Sequence, residues 1–136
     1  MQYADLTGIY LGYIACLNRR DWDALGDFVD PAVVHNGRRL GIEGYRAMLE
    51  SDYRRIPDLH FVVEQLVSDA EIVAARLKFD CTPKGEFLGL NVDGRRVRFA
   101  EHAIYAFSNG TITEVWSVID KQTVEEQLAA RGCATT

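Results

Sequence analysis

Residues 97–120 read VRFAEHAIYAFSNGTITEVWSVID. Two runs with β-strand patterning are joined there by Ser108-Asn109-Gly110. In the first run Val97, Phe99, Ala103, Tyr105 and Phe107 recur at a period of two, the signature of a strand with one face buried. Glu101 interrupts that apolar row. A carboxylate on a buried face costs free energy unless it is paired or used, so Glu101 is the first candidate functional residue. The hairpin closes in one of two ways. A two-residue Asn109-Gly110 turn sets Glu101 beside Val118 and turns Ile112, Trp116 and Val118 inward. A three-residue loop with Gly110 in a bulge sets Glu101 beside Ser117 and turns Val115, Ser117 and Ile119 inward. One residue of slip exchanges the two faces of the second strand.

The chain upstream of this hairpin divides into helices and then strands. Residues 5–18 carry Tyr10, Tyr13, Ile14 and Leu17 at helical spacing, with Asp5 or Thr7 as cap. A short second helix is expected over 22–29, stopped by Asp30-Pro31. Ala32–His35 is extended and Asn36-Gly37-Arg38-Arg39 is a polar turn. A third helix over 45–55 turns Tyr45, Met48, Leu49 and Tyr53 inward, and Pro57 closes it. Residues 60–67 and 71–82 read as strands. The loop 83–94 is either a flap over a cavity or a plain hairpin connection. Residues 121–131 form a last helix, with Asp120 and Thr123 suited to cap it. Helices followed by a run of strands define an α+β fold, with a curved antiparallel sheet wrapped by the N-terminal helices into a cone with an internal pocket.

Size and composition narrow the function. The chain of 136 residues is one domain, residues 1–136, large enough to bury roughly two-thirds of its unfolded surface. Its net charge of −5 argues against a nucleic-acid partner, which needs a clustered basic face. The short basic cluster Arg95, Arg96, Arg98 has no stacking platform beside it and reads as a solvated strand edge. Cys16, Cys81 and Cys133 have neither disulfide-framework nor zinc spacing, so no metal is expected, and free core thiols suit a reducing cytoplasm. No run approaches the ~20 apolar residues of a membrane span. No phosphate loop or flavin or nicotinamide fingerprint is present, and no cofactor is expected.

The pieces YIACLNRRDWDAL, FVDPAVVHNG, GIEGYRAML, PDLHFVVEQLV, GEFLGL and NGTITEVWSVID together resemble the SnoaL-like polyketide cyclases or ester cyclases. These belong to the cone-shaped superfamily that includes ketosteroid isomerases. The resemblance implies the three-residue-loop register, with Glu101 beside Ser117 and Trp116 outward, where it suits a homodimer. It also implies a small hydrophobic or carbonyl-containing ligand. The cyclases place a catalytic aspartate at the position of Ser117 and a histidine at the position of Ala103, and both are replaced here. Tyr13 falls at the isomerases' oxyanion-hole tyrosine and Asn36 at their general base.

The expected activity is cofactor-free acid–base chemistry on a carbonyl or polyketide-like compound: aldol cyclisation, isomerisation or dehydration. Glu101 and His35 are the catalytic candidates. Tyr13, Asn36, Tyr53, Tyr105 and Ser117 are the substrate-binding candidates. For Glu101 the rival reading is a buried pair with Arg76 or Tyr13. For the whole protein the rival is a non-catalytic ligand-binding or accessory protein of the same fold.

Overall fold

The computed structural model describes residues 6–134. Helix α1 (Leu6–Arg19) buries Tyr10, Tyr13, Ile14 and Leu17, the stripe its spacing predicts. Thr7 falls inside this helix, and Asp5 lies outside the described residues. A 3-10 turn (Trp22–Asp27) follows, in place of the expected longer helix. Strand β1 (Val29–His35) then begins before Pro31 rather than after it. Pro31 is tolerated because β1 breaks register with its neighbour between Val29 and Val34, so the missing N–H leaves no ladder bond unmade.

Asn36 and Gly37, with φ of 48° and 80°, form a two-residue turn into β2 (Arg38–Arg39). Helix α2 runs over Gly41–Arg55, four residues earlier than expected. Strands β3 (Val62–Asp69), β4 (Ile72–Cys81), β7 (Val97–Ser108) and β8 (Thr111–Ile119) form antiparallel pairs in that order. Helix α3 (Lys121–Ala134) closes the described chain. Asp120 caps it, accepting bonds from the Thr123 amide at 3.2 Å and the Thr123 hydroxyl at 2.6 Å.

The strand order of the large sheet is β2-β1-β8-β7-β4-β3. The β1–β8 pairing is parallel, so the sheet is mixed rather than purely antiparallel. It curves without closing, and its concave face packs on α1 and α2. The loop between β4 and β7 folds into a small hairpin of β5 (Glu86–Phe87) and β6 (Leu90–Asn91). Its base is held by Arg55 of α2, which donates to the Glu86 carbonyl at 2.6 Å and accepts from the Lys84 amide at 2.9 Å. Phe87 is buried against Phe99, with ring centroids 5.2 Å apart. The segment is therefore both a hairpin and a cover.

The register of the central hairpin matches neither expected closure. The turn is the two-residue one: Ser108 pairs with Thr111, and Asn109 and Gly110 take φ of 52° and 80°. One extra residue, Thr113, then bulges out of β8, so that Phe107 pairs with Ile112 but Ala106 with Glu114. Beyond the bulge Val115, Ser117 and Ile119 face inward, and Trp116 and Val118 face out. Glu101 lies directly across from Ile119, not from Ser117, which is opposite Ala103. The bulge lets Ile112 and Val115 both be buried, which no regular strand permits.

Candidate active site

The concave face of the sheet, α1, α2 and the β5–β6 cover enclose a cavity of about 480 Å³. That is within the usual range for a small-molecule site. Four phenylalanines, Phe61, Phe79, Phe87 and Phe99, form one side. Phe79 and Phe99 stack at 5.2 Å, as cross-strand partners on β4 and β7. Polar groups come from β1, β7, β8, α1 and α2. Among the described residues no group of three or more His, Cys, Asp or Glu is placed to hold a metal ion.

Glu101 lines this cavity from the middle of β7. Burial raises its carboxyl from 4.5 to about 7, the Ser117 hydroxyl pulls it back, and the charge of Asp52 adds to the rise. Ser117 is the diagonal neighbour of Glu101 on β8, and its Oγ stands 3.4 Å from Nε2 of His35 on β1. The hydroxyl thus links the carboxyl and the imidazole. Burial, and then the Arg38 charge, lower the His35 pKa, so this ring is neutral at pH 7.

Asn36 is fixed by its left-handed turn. Its side-chain amide donates to the Ser117 carbonyl at 3.2 Å, and its oxygen accepts the Ser117 amide at 2.8 Å. The residue lines the cavity while its amide clamps β1 to β8. Arg76 does not reach Glu101. It lies on the outer face of the sheet, bonded to Glu64 at 2.6 Å and to His102 at 2.5 Å.

Tyrosines close the polar end. The hydroxyls of Tyr13 and Tyr45 are 2.6 Å apart, and Tyr10 donates to Tyr105 at 3.2 Å. Tyr13, Tyr45 and Tyr105 line the cavity. Burial raises all of their pKa values, so all are neutral hydroxyl groups at neutral pH. Tyr53 is not in the lining. Its hydroxyl donates to the Leu17 carbonyl at 2.6 Å, and its ring packs under Arg20, so it ties α2 to α1.

Three polar residues of the lining, Tyr45, Asp52 and Lys121, lie outside the set of site candidates. Tyr45 was visible in the sequence as an inward residue of α2. Asp52 is seven residues further along the same helix, on the stripe Tyr45, Met48, Leu49, Asp52, Ile56 that faces the cavity. The i, i+3, i+4, i+7 spacing was the available signal for it.

An open mixed sheet wrapped by helices around an aromatic cavity, with two carboxyls in its lining, makes a cone-shaped α+β fold with an internal pocket. The sequence profile of the SnoaL-like polyketide cyclases matches residues 7–128, and the chain belongs to that family. It is similar to the crystal structure of a SnoaL-like polyketide cyclase from Agrobacterium tumefaciens strain C58. That similarity has 55% identity, coverage of 94% of this chain and 99% of that one, and a TM-score of 0.90. TsrD from Streptomyces laurentii shares 25% identity over 96% of this chain and 98% of its own, with a TM-score of 0.80. AclR from Streptomyces galilaeus, described provisionally as a hydroxylase, shares the fold at 24% identity, 95% and 98% coverage and a TM-score of 0.75. No curated protein sequence matches the chain. Among the described residues no helix is long and apolar enough to cross a membrane.

Proposed function

We propose that the cavity carries out acid–base chemistry on a small carbonyl compound, with Glu101 as the proton-transfer group. The observation behind this reading is the raised carboxyl of Glu101 in an otherwise aromatic cavity, poised to lose or gain a proton near neutral pH. Enolisation of a ketone needs a group that exchanges the α-proton and donors that hold the oxygen while it carries charge. The Tyr13–Tyr45 hydroxyl pair supplies such donors at the same end of the cavity. Ser117 and His35 give the proton a second station. Aldol cyclisation, isomerisation and dehydration all begin with this step, and the apolar wall suits a polyketide-like carbon skeleton.

A non-catalytic reading draws on one observation: alanine and serine stand at the cyclases' histidine and aspartate positions, Ala103 and Ser117, side by side on the inner face. On that reading the protein carries its ligand unchanged.

The α-proton exchange of 2-tetralone in D2O, followed by NMR, separates the two. The wild-type protein should accelerate exchange over buffer, and Glu101→Gln should reduce the acceleration by at least about 100-fold while remaining folded. Exchange at the wild-type rate in Glu101→Gln overturns the assignment. A wild-type protein that binds the ketone without exchanging it establishes the carrier reading.

A further inference from the structure

We propose that Asp52 is the second proton-transfer carboxylate of this site, joining Glu101 from α2 at the mouth of the cavity. The inference rests on the acid–base reading above and adds to it a group that neither the sequence reading nor the family resemblance assigns.

Placement carries the argument. Asp52 and Glu101 are the two carboxylates in the lining, and they come from different elements, α2 and β7. Asp52 lies on the inward stripe of its helix, as Glu101 lies in the inward row of its strand. Its carboxylate makes no hydrogen bond or ion pair among the described residues, so no structural partner accounts for it. Asp52 is exposed to water, which lets it exchange protons with solvent while Glu101 lies deeper. The charged and titratable groups that interact with it are Arg55, Tyr45 and Tyr53 on its own helix and Glu101 on β7, and His35 on β1 and Lys121 at the start of α3 share its cavity lining. The low-dielectric surroundings raise its carboxyl to about 6, and Arg55 pulls the other way. Its charge in turn favours the protonated form of Glu101. With one proton shared by the pair, one carboxyl is ionised while the other is an acid.

That singly protonated pair is a base and an acid in one cavity. Ionised Glu101 removes the proton from the carbon beside the carbonyl, as in the acid–base reading above, while Asp52 holds the shared proton. The C–H electron pair becomes the C=C bond of the enolate, and the carbonyl π pair moves to oxygen, held by Tyr13 and Tyr45. Asp52 then delivers its proton to the second position: a carbon in isomerisation, the new alkoxide in aldol closure, or the departing hydroxide in dehydration. One proton leaves the substrate and one enters, no electrons are exchanged with a third party, and the pair returns to its starting state when a proton passes from Glu101 to Asp52, directly or through solvent at the mouth.

The test uses 2-tetralone exchange across pH, with carbon-13 NMR of side-chain carboxyls as a substrate-free readout. The wild-type rate should be bell-shaped in pH. Asp52→Asn should lose the alkaline limb and at least about tenfold of the rate, and Asp52→Glu should restore part of both. The Glu101 carboxyl should also titrate lower in Asp52→Asn. An Asp52→Asn profile identical to wild type, with Glu101→Gln inactive, overturns this inference and leaves the Glu101 assignment standing. Wild-type exchange no faster than buffer, or unaffected by Glu101→Gln, removes the acid–base reading and this inference with it. Should Asp52→Asn fail to fold, the wild-type carboxyl titration decides: an Asp52 carboxyl titrating at the ordinary aspartate value overturns the proposal.

Discussion

A carboxyl raised from 4.5 to about 7 binds its proton more tightly in the folded chain than in the unfolded one. Between those two values the native state holds more protons, so stability falls as pH rises through the interval. Below about pH 4.5 Glu101 is neutral in both states and imposes no electrostatic penalty. Above pH 7 the folded chain carries the whole cost of an ionised group among aromatic side chains. Glu101→Gln removes that charge at nearly constant shape. The variant should be more stable than wild type at pH 8.5, by about 1–3 kcal/mol, with the difference vanishing near pH 4.5. Urea unfolding at the two pH values checks this, and a pH-independent difference would contradict it. A site residue whose removal stabilises the fold is the expected signature of a group kept for chemistry. Glu101 was legible in the sequence because it breaks a period-two row. Asp52 was harder to see because a helix stripe is wide, and Tyr53 beside it also reads as inward. Tyr53 does point inward, but toward the Leu17 carbonyl of α1, on the flank of the stripe.

At the scale of elements, the β7–β8 hairpin shows how two correct local readings can combine wrongly. Asn109-Gly110 does form the two-residue turn, and Val115, Ser117 and Ile119 do face inward. A regular hairpin allows one or the other. Thr113 reconciles them as the extra residue of a bulge, its hydroxyl donating to the Ala106 carbonyl at 3.2 Å. The sequence did carry a trace of this: Thr113-Glu114 puts two polar residues between Ile112 and Val115, apolar positions of opposite parity. Pairing on both sides of the bulge is already set, so deleting Thr113 leaves every remaining residue with its present partner. The deletion variant should fold with the Tyr105–Val115 cross-strand contact intact, readable as a nuclear Overhauser effect. Its strand should bend less, since bulges add local twist, and binding of 2-tetralone should weaken as the cavity wall flattens. Loss of the Tyr105–Val115 contact would show that the bulge sets the register rather than only the curvature. The parallel β1–β8 pairing was not legible at all, because nothing in residues 29–35 states which strand edge they will meet.

On the whole molecule, the inner face of the sheet is accounted for by the cavity, and the outer face is not. Val62, Val67, Ile72, Ile104, Trp116 and Val118 are all exposed, and the strand register puts them together on the convex side of β3, β4, β7 and β8. A monomer rarely leaves so continuous an apolar surface in water. The charges beside it carry both signs, Glu64 with Arg76 at 2.6 Å and Lys78 at 3.5 Å, so opposite charges can meet when two copies face each other. A two-fold contact demands this self-complementarity, and we propose that a second copy of the chain covers this face. Val118 is 70% exposed and contributes little to the fold of one protomer, which makes Val118→Glu a clean test. Sedimentation velocity should give a dimer for the wild type and a folded monomer for the variant. The melting temperature should rise with concentration for the wild type only, because association stabilises the folded state by mass action. A monomeric wild type, or a dimer that survives Val118→Glu, would assign the convex face to something other than a second copy. Covering the face from outside also steadies the strands that carry Glu101 and Ser117, so a monomeric variant should exchange 2-tetralone more slowly than the dimer while keeping the same pH profile.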